Sequence, residues 1–114
     1  MKRASNLGDK ATLAAQHCRA GAPRLSTAEL KPLLAALPDW KHADKRLMRT
    51  YRFPDFYRTI AFVNALAWMA NVEDHHPDLS VHYGRVVVAW STHDAGGVTL
   101  NDCICAAKTD QLAP

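Results

Sequence analysis

Three histidines stand where their chemistry could be combined. His75 and His76 are adjacent and precede Pro77 at the end of a long helical pattern, and His93 ends the most strand-like run in the chain. Imidazole is the side chain that gives or takes a proton near neutral pH, its unperturbed pKa being about 6.5. The negative end of a helix dipole and the neighbouring Glu73 and Asp74 favour a protonated ring at the 75–76 pair, which suits a general acid. His93, next to Ser91 and Thr92, suits a base or a clamp on a bound molecule. One positioned proton-transfer group typically contributes about 10²–10⁴-fold to a rate. That set matches a reaction needing only protonation of a leaving hydroxyl and removal of a nearby proton. The plainer reading makes His75 and His76 turn residues and His93 a solvated strand end, and spacing alone leaves both open. Three histidines also raise zinc, but adjacent residues seldom ligate one ion and no second ligand set is readable, so no metal is expected. His17 and Cys18 lack further ligands at suitable spacing, and His42 and His82 read as surface positions.

The elements that must position these rings follow from hydrophobic spacing. Ser26 and Glu29 have the form of a capping box, and Leu30, Leu33, Leu34 and Leu37 mark one face of a helix that Pro38-Asp39 stops. Pro32 lies late for a helix start and predicts a kink or a delayed beginning. Trp40 is expected to open a short strand, with a turn at Ala43-Asp44-Lys45. Leu47 to Phe53 reads as a second strand whose Arg49 and Arg52 reach solvent. Asp55 is the expected N-cap of the main helix, Asp55 to Glu73. Phe56, Ile60, Val63, Ala67 and Ala70 recur along it at helical steps, and Phe62, Leu66 and Met69 widen the stripe. Its aromatic and Met residues read as core, and Pro77 ends it near His75.

Leu79 to Tyr83 and Arg85 to Thr92 read as a hairpin closed at Gly84. The second of these strands is apolar on both faces, which predicts a central strand or a face covered by another subunit. Asp94-Ala95-Gly96-Gly97 forms a turn. Thr99 and Asp102 then open a last helix in capping-box fashion. On that helix Cys103 and Cys105 diverge by about 200° and read as packing residues. The order is helix, strand, strand, helix, strand, strand, helix. It predicts an α+β domain, a four-stranded antiparallel sheet with three helices on one face. Residues 1–24 read as an appended, mobile extension, and residues 25–112 as the domain.

Composition narrows the function classes. The 114 residues fit one domain, and 22% charged with 48% hydrophobic residues is ordinary for a globular protein. A net charge of +3 with scattered basic residues argues against a nucleic-acid reader. No apolar run approaches the roughly 20 residues that span a membrane. Three cysteines without an export signal predict reduced thiols and a cytoplasmic setting.

At the histidines the chain resembles the pterin-4a-carbinolamine dehydratase family. His75-His76-Pro77 is followed by Tyr83, then by His93 within Ser91-Thr92-His93, then by Asn101-Asp102 at the start of the last helix. The Phe53–Phe56 approach to the long helix agrees as well, and the likeness covers about residues 25 to 112. Two positions depart from the pattern: Asn71 stands where members usually carry an acidic residue, and Ala95 where some have a cysteine. The resemblance implies that a 4a-hydroxytetrahydropterin loses water to give the quinonoid dihydropterin, recycling the cofactor of aromatic amino acid hydroxylases. It assigns the acid–base steps to His75, His76 and His93. Asp74 and Ser91, Thr92, His93 and Asp94 line the pterin pocket, with Asn71, Tyr83 and Asp102 in support. It further implies no metal, no bound cofactor, a homodimer or homotetramer, and no membrane or direct nucleic-acid partner. The competing reading is a non-catalytic interaction or dimerisation module of the same fold.

Overall fold

A computed structural model of the chain describes residues 9–113. A short helix α1 (Lys10–Ala14) and α2 (Thr27–Ala35) precede a hairpin of β1 (Lys41–Ala43) and β2 (Arg46–Arg52). Helix α3 (Phe56–Glu73) leads to a second hairpin, β3 (Asp78–His82) and β4 (Arg85–Trp90), and α4 (Leu100–Leu112) closes the domain. All strand pairs are antiparallel, in the order β1-β2-β4-β3. This is the α+β architecture that hairpins joined through helices require.

Strand β4 is an inner strand, paired with β2 on one side and β3 on the other. Val86, Val88 and Trp90 are fully buried and lie opposite Tyr51, Arg49 and Leu47 of β2. That face carries α3 and α4: Phe62 packs on Tyr51 with ring centroids 4.7 Å apart, and Trp90 Nε1 donates to Thr109 Oγ1 at 3.1 Å. Turn chemistry sets the register. Asp44 and Lys45 both take positive φ (52° and 63°), the two-residue geometry whose twist matches paired strands. Gly84 is required at the β3–β4 turn because a Cβ there would meet the Phe53 carbonyl oxygen at 2.9 Å.

Several expectations are corrected. Helix α2 is not delayed: it begins at Thr27 behind a complete Ser26–Glu29 capping box. Pro32 sits within it, on an exposed side where water can serve the carbonyl that loses its partner. The buried side of α3 is Thr59, Phe62, Leu66, Met69, Ala70 and Glu73, not the stripe through Phe56 and Ala67. Trp68, read as core, is 72% exposed. Two overlapping apolar stripes run along this helix, and a helix lying on one sheet can bury only one of them. Arg49, expected in solvent, faces the helices and pairs with Asp110 at 2.7 Å.

The extension also differs from its reading. Residues 1–8 lie outside the described residues, but residues 9–24 rest on α4. Leu13 and Ala14 of α1 are buried, Lys10 pairs with Asp110 at 3.1 Å, and Lys108 Nζ donates to the Ala14 carbonyl at 2.8 Å. A short apolar turn with a cation at each side suffices to dock it.

Candidate active site

The end of α3 delivers the first histidine. Asp74 adopts a left-handed conformation (φ 51°), its amide donates to the Asn71 carbonyl, and the His75 amide donates to the Ala70 carbonyl. These two bonds form a Schellman motif, which stops the helix and turns the chain back over the sheet. His75 thereby lands on Trp90, ring centroids 5.5 Å apart and nearly parallel at 15°.

The start of α4 delivers its partner. Asp102 is fully buried at the third position of the helix, and its Oδ2 accepts from the Thr99 amide at 2.9 Å. The same oxygen accepts from Thr92 Oγ1 at 2.8 Å, while Oδ1 receives His75 Nε2 at 2.6 Å. Thr92 has one hydroxyl proton and gives it to the carboxylate, so the 3.0 Å contact between the two threonines runs from Thr99 Oγ1 to Thr92 Oγ1. An ionised carboxylate only accepts, so His75 Nε2 carries the proton and Nδ1 is left to exchange one with a bound molecule. The His75 side chain is 14% exposed, enough to present an edge.

That edge opens into a cleft of about 800 Å³. Asp74, Thr92, Asp94 and Asn101 share its wall with His75, and the segment Cys18–Arg24 forms the opposite side. This strap is held by two polar clamps. Asn101 Oδ1 accepts from the Arg19 amide at 3.0 Å, and Asn101 Nδ2 donates to the Arg19 carbonyl at 2.7 Å. Glu73 accepts from the Cys18 amide and from His17 Nδ1, both at 2.8 Å, with Lys108 at 3.6 Å. Burial pushes the Glu73 carboxyl upward, but the Cys18 amide, His17 and Lys108 together outweigh it and hold the group below its ordinary value. Glu73 thus serves the strap rather than the histidine pair.

The structure brings together His75, Asp74, Thr92, Asp94 and Asp102. His76 is exposed beside the cleft and does not line it. His93 is not a strand end: β4 stops at Trp90, and His93 begins a 3-10 turn, His93–Ala95. It lies with Ser91 and Asp78 in a neighbouring depression of about 390 Å³, which meets the first at Thr92. Tyr83 stands at the far hairpin, stacked on Phe56 at 6.1 Å. Asn71, named as a supporting residue, is exposed on α3, and the ring's partner is Asp102, because the Schellman turn carries His75 off the helix axis.

Sequence reasoning missed Trp90 as the platform, Asn101 as a clamp, and the strap. A signal existed for two of them. Trp90 points inward on a strand leading straight to Ser91, and a buried carboxamide such as Asn101 must find partners.

Comparisons with known proteins identify the family. Residues 23–112 match the family model described as pterin 4 alpha carbinolamine dehydratase. A Chromobacterium violaceum protein named "Putative pterin-4-alpha-carbinolamine dehydratase" is 61% identical over 92 residues, 81% of this chain and 85% of that protein. A protein of the same name from Xanthomonas euvesicatoria pv. vesicatoria is 62% identical over 91 residues, 78% of this chain and 77% of its own. Among solved structures, a transcriptional coactivator/pterin dehydratase from Brucella melitensis superposes with a TM-score of 0.76 at 34% identity, covering 80% of this chain and 99% of that one. A pterin dehydratase-like RuBisCO assembly factor of the alpha-carboxysome shares the fold, with a TM-score of 0.58 at 24% identity over 66% of this chain and 89% of its own. The chain therefore belongs to the pterin 4 alpha carbinolamine dehydratase family.

Proposed function

We propose that this protein dehydrates a 4a-hydroxytetrahydropterin to the quinonoid dihydropterin, with His75 as the central proton-transfer group. The carrying observation is the Asp102–His75 pair at 2.6 Å, which lies within the family-matched segment and opens on the cleft. In the reaction the bond from C4a to the hydroxyl oxygen breaks, the hydroxyl leaves as water after gaining a proton, and a ring N–H loses one. Asp102 holds the Nε2 proton, so Nδ1 gives and recovers the proton that moves. An imidazole anchored in this way changes charge without turning, because Trp90 fixes the ring plane.

His76 and His93 flank the 75–102 pair and take the second proton transfer and the clamping of the pterin. Asp74, Ser91, Thr92 and Asp94 supply the polar lining, in part through backbone groups. The product would return to a reductase and then to an aromatic amino acid hydroxylase, in a cytoplasmic setting. Exposed apolar residues support a homodimer or homotetramer: Leu79 and Val81 on the edge strand β3, and Trp68 on the outer side of α3.

The same exposed residues, with Tyr57 at 80%, favour a second reading as an interaction module. One experiment separates the two. Purified protein is added to a hydroxylase reaction, and decay of the 4a-hydroxypterin intermediate is followed by absorbance. Acceleration by wild type, lost by about 10²-fold or more in His75→Ala, supports dehydration. Unchanged decay with folded wild type overturns it.

A further inference from the structure

The strap that walls the cleft carries a thiol aimed at a second thiol. Cys18 Sγ lies 3.4 Å from Cys105 Sγ and 3.7 Å from the Asn101 carbonyl oxygen. All three cysteines are free. Cys105 follows Asn101 by four residues, so on α4 the two share a face, and the strap meets both at once. The Cys18 sulfur is held there from two directions: its own amide is bound by Glu73, and the next residue is clamped at both amide and carbonyl by Asn101. Cys103, on the same helix, is buried on a different face.

The two sulfurs differ in access. Cys18 is half-buried and lines the cleft, whereas Cys105 is fully buried. Access sets the order: Cys18, open to the cleft, meets a reagent first, and Cys105, buried behind it, meets only the Cys18 sulfur. From 3.4 Å to the ~2.05 Å of an S–S bond the strap has little more than an ångström to move.

We propose that Cys18 and Cys105 form a reversible disulfide site that staples the strap to α4 when the protein meets a peroxide. The chemistry balances in two steps. Hydrogen peroxide oxidises the Cys18 thiol to a sulfenic acid and is reduced to water. The Cys105 thiol then attacks that sulfur, the S–S bond forms, the S–O bond breaks, and the hydroxyl leaves with the Cys105 proton as a second water. Thiol reductants reverse the bond by exchange. The bridge would tie together residues 87 apart in sequence, a separation at which a cross-link restricts the unfolded chain strongly. The inference stands apart from the proposed dehydration, since its readouts need no substrate.

Reduced full-length protein is treated with equimolar hydrogen peroxide, alkylated and analysed by mass spectrometry and thermal melting. The expected result is a loss of roughly 2 Da before alkylation, one cross-linked peptide pair joining Cys18 to Cys105, and a Tm higher by about 10 °C, all reversed by dithiothreitol. Cys18→Ser, at a half-buried position, folds and shows neither the mass loss nor the Tm rise, while Cys103→Ala retains both. Three alkylatable thiols after treatment, a bridge using Cys103, a bridge between two chains, or Cys18 over-oxidised to sulfinic acid beside an unreacted Cys105 would each overturn the proposal.

Discussion

Helix α4 carries two aspartates that gather donors in opposite ways. Asp102, at its first turn, takes the Thr99 amide, the Thr92 hydroxyl and the His75 ring. Asp110, eight residues and about 12 Å further along, takes Arg49, Lys10, Trp40 Nε1 and the Tyr51 hydroxyl. Both carboxylates are nearly shut off from water, at 0% and 7% side-chain exposure. Their surroundings separate them. At Asp110 the phenol keeps its proton at neutral pH, because burial and the adjoining carboxylate drive Tyr51 well above its usual range. At Asp102 one partner is an imidazole with an edge in an open cleft. The same side chain on one helix is a staple at one end and the anchor of the candidate site's histidine at the other.

That contrast can be broken from either side. The largest effect is expected from His75→Ala and Asp102→Asn, each lowering dehydration by about 10²-fold or more in the coupled hydroxylase assay. Both variants should still fold, because His75 is partly open to the cleft and an asparagine at 102 keeps the side-chain volume and an oxygen for the Thr99 amide. Asp110→Ala should do the reverse, costing about 3 kcal/mol in denaturant melts by leaving the Tyr51 and Trp40 donors unpaired and Arg49 with only the exposed Asp39, with activity at permissive temperature within a few-fold of wild type. A loss of activity in Asp110→Ala matching that of Asp102→Asn would dissolve the distinction. Thr92→Val is intermediate: it removes one donor from Asp102, and a tenfold or smaller fall in rate with about 1 kcal/mol of lost stability is expected.

The smallest effect tests the strap. Glu73 is held below its ordinary 4.5, so its contribution to folding is complete above that value and disappears as the pH drops through the lower folded value. Since His17 is largely exposed, about 1 kcal/mol is the expected scale. Wild type should melt above Glu73→Gln at pH 7, and the gap between the two should close as the pH falls below the ordinary carboxyl range. A gap that persists in acid would mean the glutamate acts through packing alone.

Much of the frame was legible because it is local chemistry. Ser26 with Glu29, Asp55, and Thr99 with Asp102 each announce a helix start within four residues, and the observed helices begin there. Alternation and Gly84 announce the second hairpin. The misreadings share one cause. Choosing between the two apolar stripes of α3, or between solvent and Asp110 for Arg49, depends on where a distant element lies.

The sequence by itself determined element order, the antiparallel sheet, and the residue types from which proton transfer is built, because capping, turns and periodicity act over a few neighbours. Tertiary structure alone decided that Asp102, 27 residues away, orients His75, that Trp90 fixes its plane, and that Cys18–Arg24 walls the cleft. A hydrogen bond or a ring stack needs groups within a few ångströms, and only the packing of α3, α4 and the sheet brings those residues so close.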